Sequence, residues 1–199
     1  MLSNYRVLDL TDERGHFAGQ LLAALGAEVI AVEPPVGMRA RRLGPFVGDR
    51  PDPEGSLSHF AANRGKRSVV LDLTDAADRA SFHRLAAGAD VVIESGEPGR
   101  WAALGAGYDE LAALNPALVY TSVTAFGQHG PKAGWVATDL TVMASSCSLV
   151  LNGDSDRPPV RLVVPQAFAM GSAVAVCATL IALAERSRSG LGQHVEVSA

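Results

Sequence analysis

Short runs of β-branched and aliphatic residues alternate along the chain with segments whose apolar positions recur at helical spacing. Val7, Leu8 and Leu10 form the first run, positions 17–25 repeat apolar residues every three or four places, Gly26 ends that repeat, and positions 29–32 form a second β-branched run. Two strands set so close with a helix between them predict a right-handed crossover with parallel strands. The same build returns as a strand over 68–73, a helix from Thr74 or Asp75 to about Ala87 with Phe82, Leu85 and Ala86 facing inward, a stop at Gly88, and a strand over 91–93 ending at Glu94. Further on the pattern predicts a short helix over 108–114, a strand over 118–123, a helix over 139–149 with Asp139 as its N-cap, a strand over 160–164, a long helix over 167–186, and an alternating strand over 193–197. Residues 39–63, 95–107, 126–136 and 152–159 are rich in Gly, Pro or polar residues and read as connections, the first of them a long surface loop. Strands and helices in alternation imply an α/β fold: a doubly wound, mostly parallel, Rossmann-like sheet with helices on both faces, within one domain spanning 1–199.

Ligands of open α/β sheets bind outside the carboxyl ends of the strands, which directs attention to the segments following Leu10, Glu33 and Glu94. A dinucleotide fold has the same geometry, but the turn at 11–19 lacks the G-x-G-x-x-G spacing, and its Asp12 and Glu13 would repel a pyrophosphate at the helix N-terminus.

The chain has 199 residues, 48% of them hydrophobic and 19% charged, which fits a folded globular protein rather than a disordered one. A net charge of -4 leaves no electrostatic footprint for nucleic acid. No secretory leader opens the chain, and Cys147 and Cys177 sit in apolar helical sequence without metal spacing, so they read as inert core thiols in a reducing, cytoplasmic compartment. Residues 163–184 approach the length of a membrane span, but Pro165, Gln166, Ser172 and Thr179 interrupt them, and a buried helix of a soluble α/β protein is the better reading. No set of His, Cys, Asp or Glu has metal-ligand spacing, so no metal is expected.

Five segments in order carry a resemblance: RVLDLT with QLLAALGAEVIAVEPPVG, then NRGKRSVVLDL, then ADVVIES and GEPG, then LGAGYDELAALNPALVYTSVTAFGQHGP, then RSRSGLGQHVEV. Together they resemble the class III coenzyme A transferases, the CaiB/BaiF family, which includes formyl-CoA transferases and α-methylacyl-CoA racemases. Members of that family are about twice as long and form interlocked dimers, so the resemblance implies that this chain corresponds to the N-terminal half, with a partner chain or a further half completing it as a homo- or hetero-oligomer. It implies acyl-CoA and carboxylic acids as substrates, with coenzyme A held by the loops after the strands. Gln20, Arg41, Lys66 with Arg67, and Lys132 are the matching positions, and cationic side chains there would hold the phosphates of CoA by charge-assisted hydrogen bonds. The only two lysines, Lys66 and Lys132, both fall in these loops.

The resemblance departs from the family at the chemistry. Family transferases attack the acyl-CoA with an aspartate at the start of the long helix. Counting back from Glu185 and the tail motif places Phe168 there, and a benzyl group has no lone pair to attack with. The racemases pair a His with an Asp, and here those positions are Thr138 and Phe168. The family's E-N-F motif reads Glu94-Ser95-Gly96, and an arginine contact falls on Ala103 with Arg100 near enough to substitute. Three readings follow: a chain that binds CoA while a partner supplies the nucleophile, an active transferase or racemase that uses Asp139 or His129, or a structural subunit. His16, in the first crossover turn, is the best histidine for a substrate contact; His59, His83 and His194 are scattered. A chain that stops at Ala199 in mid-strand looks like part of something longer, with apolar surface on its long helix left to be covered.

Overall fold

The computed structural model describes residues 1–199. The central strands are buried along nearly their whole length because helices cover them on both faces, as in parallel sheets generally, while the edge strands over 67–70 and 194–198 are more exposed. The strands are β1 (Arg6–Leu10), β2 (Glu28–Glu33), β3 (Arg67–Val70), β4 (Val91–Ser95), β5 (Val119–Thr124) and β6 (His194–Ser198). They form one sheet in the order β3-β2-β1-β4-β5-β6, and every pairing is parallel. The order reverses between β1 and β4, which makes that junction the topological switch point.

Seven helices follow the chain: α1 (His16–Ala24), α2 (Leu57–Asn63), α3 (Ala76–Ala87), α4 (Arg100–Ala103), α5 (Tyr108–Leu114), α6 (Asp139–Ser145) and α7 (Ala167–Ser189). On one face Val7, Val29, Val91, Ile93 and Val119 pack with Ala18 and Leu22 of α1 and with Ala175, Val176 and Leu183 of α7. On the other, Leu8, Leu10, Val32 and Val92 pack with Phe82 and Ala86 of α3 and Leu111 of α5. Helices therefore cover both faces, as the alternation of elements predicts. α7 is long and apolar enough to cross a membrane, yet half of its most apolar window is buried against the sheet.

The ends of the elements follow local chemistry. Asp75 caps α3 by accepting from the backbone N–H groups of Ala77 and Asp78 at 2.9 and 3.0 Å. Gly190 closes α7 in the left-handed conformation that favours glycine. Gly192 lets the tail pass against the start of β5: a Cβ there would lie 1.9 Å from the Leu118 carbonyl oxygen.

Four expectations are corrected. Residues 160–164 form no strand: the ladder beside β5 belongs to β6, and Val160, Val163 and Val164 are exposed. Residues 39–63 are not structureless, for they hold two 3₁₀ turns and α2, each too short to show helical periodicity. Asp139 is not the N-cap of α6: Thr138 takes that place in a capping box with Thr141, and α6 stops at Ser145. Cys147 and Cys177 are exposed rather than buried, because Cys147 lies in a turn and Cys177 on the outer side of α7.

Candidate functional site

Three strands end in buried acids near the carboxyl edge of the sheet, and each acid has a different environment. Asp9 of β1 is fully buried: its Oδ1 accepts from the backbone and hydroxyl of Thr11 at 2.9 and 2.6 Å, and its Oδ2 accepts from Lys66 Nζ at 2.7 Å. The same ammonium donates to the His16 carbonyl and to Asn63 Oδ1, both at 2.8 Å, so its three donors are all engaged. Gly19 of α1 lies over this pair, and a Cβ there would stand 2.0 Å from Asp9 Oδ2. Loop, strand and helix are thus joined through one buried ion pair.

Glu33 of β2 holds Arg41 in a bidentate pair, with Nε to Oε2 at 2.7 Å and Nη2 to Oε1 at 2.8 Å. Ser68 also donates to Oε1, at 2.6 Å, and Arg41 Nη1 reaches Glu54 at 3.0 Å. The Arg41 hydrogen bonds, followed by those of Ser68 and the Met38 backbone, outweigh burial and hold the Glu33 carboxyl at about 2. Three of the five guanidinium donors are engaged, which leaves two N–H bonds of Arg41 without a partner in the chain.

The switch point itself is closed by the protein's own side chains. Ser95 accepts from the Asp12 backbone at 2.9 Å and donates to Asp12 Oδ1 at 2.8 Å, while Arg14 bridges Asp12 and Glu97. Gly15 packs so tightly that a Cβ would meet Thr11 at 2.9 Å and Ser95 at 3.0 Å. The backbone and side chain of Asp12 are thus engaged by Ser95 and Arg14 where a dinucleotide fold presents free N–H groups to a pyrophosphate, which adds to the electrostatic argument against that reading. His16 opens α1 beside this closure. Burial first, and the Lys66 charge second, push its pKa down to about 4, so its ring is neutral at pH 7, with a buried Nδ1 that has no partner.

An apolar hollow of about 140 Å³ lies beside the strand ends, lined by Leu10, Val32, Pro34, Leu71 and Trp101, with Arg100 at its border. The Arg100 guanidinium sits 5.0 Å from the centroid of the Trp101 ring. The hollow combines flat apolar walls with an exposed cation, an arrangement that suits a heteroaromatic base with a phosphate beside it. Of the positions the sequence singles out, Arg41, Lys66 and Gln20 belong to the β1–β2–α1 side of the molecule, Gln20 half-buried on α1. Lys132 is exposed, its ammonium 5.3 Å from the centroid of the Trp135 ring. Arg67 opens β3, is exposed, and pairs at 2.8 Å with Glu28 at the start of β2, pointing away from the strand ends where the acids cluster.

A second locus lies where α6 meets α7. Phe168, in the first turn of α7, is buried with Ala167, Val142 and Met143. Asp139 of α6, also buried, reaches across to accept from the Ala167 backbone at 2.8 Å through Oδ1. Its Oδ2 is buried without a partner. Asp139 therefore caps the neighbouring helix rather than its own.

The third strand-end acid, Glu94, is buried, and desolvation pushes its pKa up to about 7 in spite of the Gln128 amide that donates to Oε1 at 3.1 Å. The sequence marks Glu33 and Glu94 by position, but Asp9 was missed. Its signal was available: an acid inside the apolar run V-L-D-L must find a partner on folding.

A model of CoA-transferase family III matches residues 2–199. The chain is 42% identical over 98% of its length to the succinyl-CoA:(R)-benzylsuccinate CoA-transferase subunit BbsE of Thauera aromatica, and covers 48% of that protein. It is 41% identical over 96% of its length to the acetyl-CoA:oxalate CoA-transferase of Acetobacter aceti, covering 49% of it. Among solved structures, a CaiB/BaiF family protein from Brucella suis superposes with a TM-score of 0.91 at 36% identity, over 98% of this chain and 52% of that one. The chain spans about half the length of the curated relatives it matches.

Proposed function

The chain belongs to CoA-transferase family III, and from that premise we propose that it binds coenzyme A or an acyl-CoA at the carboxyl edge of its sheet and serves the transfer of CoA between carboxylic acids, with the attacking carboxylate supplied from outside these residues. The observation that carries this reading is the first turn of α7, where Phe168 stands in place of an acid and the nearby Asp139 has one oxygen committed to the Ala167 backbone. The balanced chemistry is acyl transfer. A carboxylate attacks the thioester carbonyl and CoA leaves as the thiolate, giving a mixed anhydride. The thiolate attacks the other anhydride carbonyl, which releases the donor acid and leaves a thioester on the attacking group. The incoming acid takes CoA from that thioester by the same two steps in reverse, which regenerates the carboxylate. Within that scheme this chain binds and orients the carrier.

The hollow beside Trp101 receives the adenine in this reading, and the two unpartnered N–H bonds of Arg41, with Arg100 and Lys132, meet the phosphates. Lys66 acts at one remove, holding Asp9 and the turn before α1. Gln20 contacts the thioester end, and Arg67 contributes to the surface. The neutral His16 and its unpartnered Nδ1 provide a further hydrogen-bonding group near α1. A partner chain or a further half covers the outer face of α7, where Met170, Val174 and Ile181 are exposed. Free, exposed thiols at Cys147 and Cys177 support a cytoplasmic setting.

Titration calorimetry with CoA tests the reading. The expected result is saturable binding that Arg100→Ala and Lys132→Ala each weaken by about tenfold, the loss of one charge-assisted contact, with no change in fold. Absence of binding would reduce the chain to a structural role. A second reading, in which the chain itself carries the acyl group, is favoured by one observation, the unpartnered Oδ2 of Asp139. Under that reading hydroxylamine would release an acyl hydroxamate from the chain after incubation with acyl-CoA.

A further inference from the structure

α7 covers β5 and β6 on one face of the sheet. On the other, residues of both strands border a cavity of about 710 Å³ that shares only Trp101 with the hollow assigned to the adenine. Its wall is a built aromatic cluster. Tyr108 of α5 stacks on His194 with ring centroids 5.1 Å apart and planes 20° from parallel, and Tyr120 meets both rings at steeper angles, 6.1 and 5.4 Å away. Tyr120 is fixed by donating its hydroxyl hydrogen to the Ala106 carbonyl at 3.0 Å, and His194 is held by Ser122, with Nε2 and Oγ 2.9 Å apart. Glu94 lies among the lining residues, 3% exposed. Asp109, Glu110 and Glu196 also line the cavity, and no lysine or arginine does.

Four carboxyl groups with no lining cation make this cavity hostile to the phosphates of CoA and to carboxylate substrates. A cation gains from Asp109, Glu110 and Glu196, and from Glu94 once it is ionised, and the faces of tyrosine rings add the attraction that such rings offer to ammonium groups. His194 does not oppose this, since burial lowers its pKa and leaves it neutral at pH 7. We propose that the cavity is a second ligand site, on the far side of Trp101 from the adenine hollow, that takes a small organic ammonium ion with its charge against Glu94 and Glu196 and its alkyl groups against Tyr108 and Tyr120. Binding selects the ionised form of Glu94. The other charged groups acting on that carboxyl are Asp12 on its inner side and Arg100 from α4, with Asp109, Glu110, Glu196, His129 and His194 around the cavity.

The test is calorimetric titration of the chain with choline and with its uncharged isostere 3,3-dimethylbutanol. Choline is expected to bind, and the alcohol at least about tenfold more weakly. Glu94 titrates at about 7, so choline affinity should rise about tenfold between pH 6 and pH 8. Glu94→Gln should weaken choline binding by about tenfold and flatten its pH dependence, and Tyr108→Ala should weaken it by a similar factor. If Glu94→Gln does not fold, Glu196→Gln provides the same comparison, with an expected loss of about threefold. Choline should leave the CoA titration unchanged. Equal binding of the alcohol, no choline binding at either pH, affinity unaltered in the folded acid variants, or displacement of CoA by choline would each overturn the proposal.

Discussion

A lysine that looks like a loop cation in the sequence is, in the fold, the counter-ion of a buried aspartate. Replacing Lys66 with Met strands the Asp9 charge and should cost roughly 3–5 kcal/mol of unfolding free energy, while the pair Asp9→Asn with Lys66→Met recovers much of it; urea unfolding reads both. Gly19→Ala should cost about 3 kcal/mol in the same assay, because its methyl group would land on the Asp9 carboxylate. Charge alone could place Lys66 in a functional loop, but the acid that claims it lies 57 residues away, and single-sequence patterning carries no record of such pairing. The buried titratable groups set a pH response with opposed signs. His16 is lowered from 6.5 to about 4, so the unfolded chain takes up the proton first and stability falls as pH drops through that window. Glu94 is raised from 4.5 to about 7, so the folded chain holds the proton longer and stability falls as pH rises through that window. The two slopes overlap and oppose each other between about pH 4.5 and 6.5, where His59 and His194, lowered chiefly by burial, add to the His16 side. Compared with the parent across that range, unfolding midpoints should therefore tilt downward with rising pH in His16→Gln and upward in Glu94→Gln. Glu33, held at about 2 chiefly by Arg41, adds a loss of stability only as pH falls below about 4.5.

Among the elements, the periodic helices and the short α5, stopped by Asn115-Pro116, are legible, whereas α2 and α4 are not. α1, α3 and α7 announce themselves by spacing, stop residues and caps, and the strands by branched runs between them. Residues 160–164 have the composition of a strand but no ladder to join, and α2 and α4 fit within about two turns, too short for a period to register. The cap of α7 was equally hidden, because it comes from another helix: Asp139 holds the Ala167 N–H across the α6–α7 contact. Asp139→Ala should lower stability by about 1–2 kcal/mol, and Asp139→Asn by less, since the amide keeps the acceptor and offers a donor in place of the unpartnered Oδ2. Thermal unfolding of the three forms orders them. An Asn variant less stable than the Ala variant would show that the Asp139 charge, rather than its geometry, supports the helix.

At the scale of the molecule, the doubly wound α/β class and the family are legible in alternation and motifs that run from one end of the chain to the other, whereas the strand order β3-β2-β1-β4-β5-β6 is set by pairings that no local pattern records. The apolar surface expected on the long helix is present as exposed Met170, Val174 and Ile181 of α7, but what would cover it is written in no motif. Under the proposed function, Phe168→Asp should place an attacking group within this chain, and burst kinetics with acyl-CoA would detect it. The central claim is that this chain holds the carrier and leaves the bond-making to another carboxylate. Mass spectrometry of the chain after incubation with acyl-CoA, recorded once under native and once under denaturing conditions, tests it most directly. The account predicts an acyl-CoA adduct that is present in the native spectrum and gone on denaturation, leaving the unmodified mass; an acyl or CoA increment that survives denaturation would contradict it.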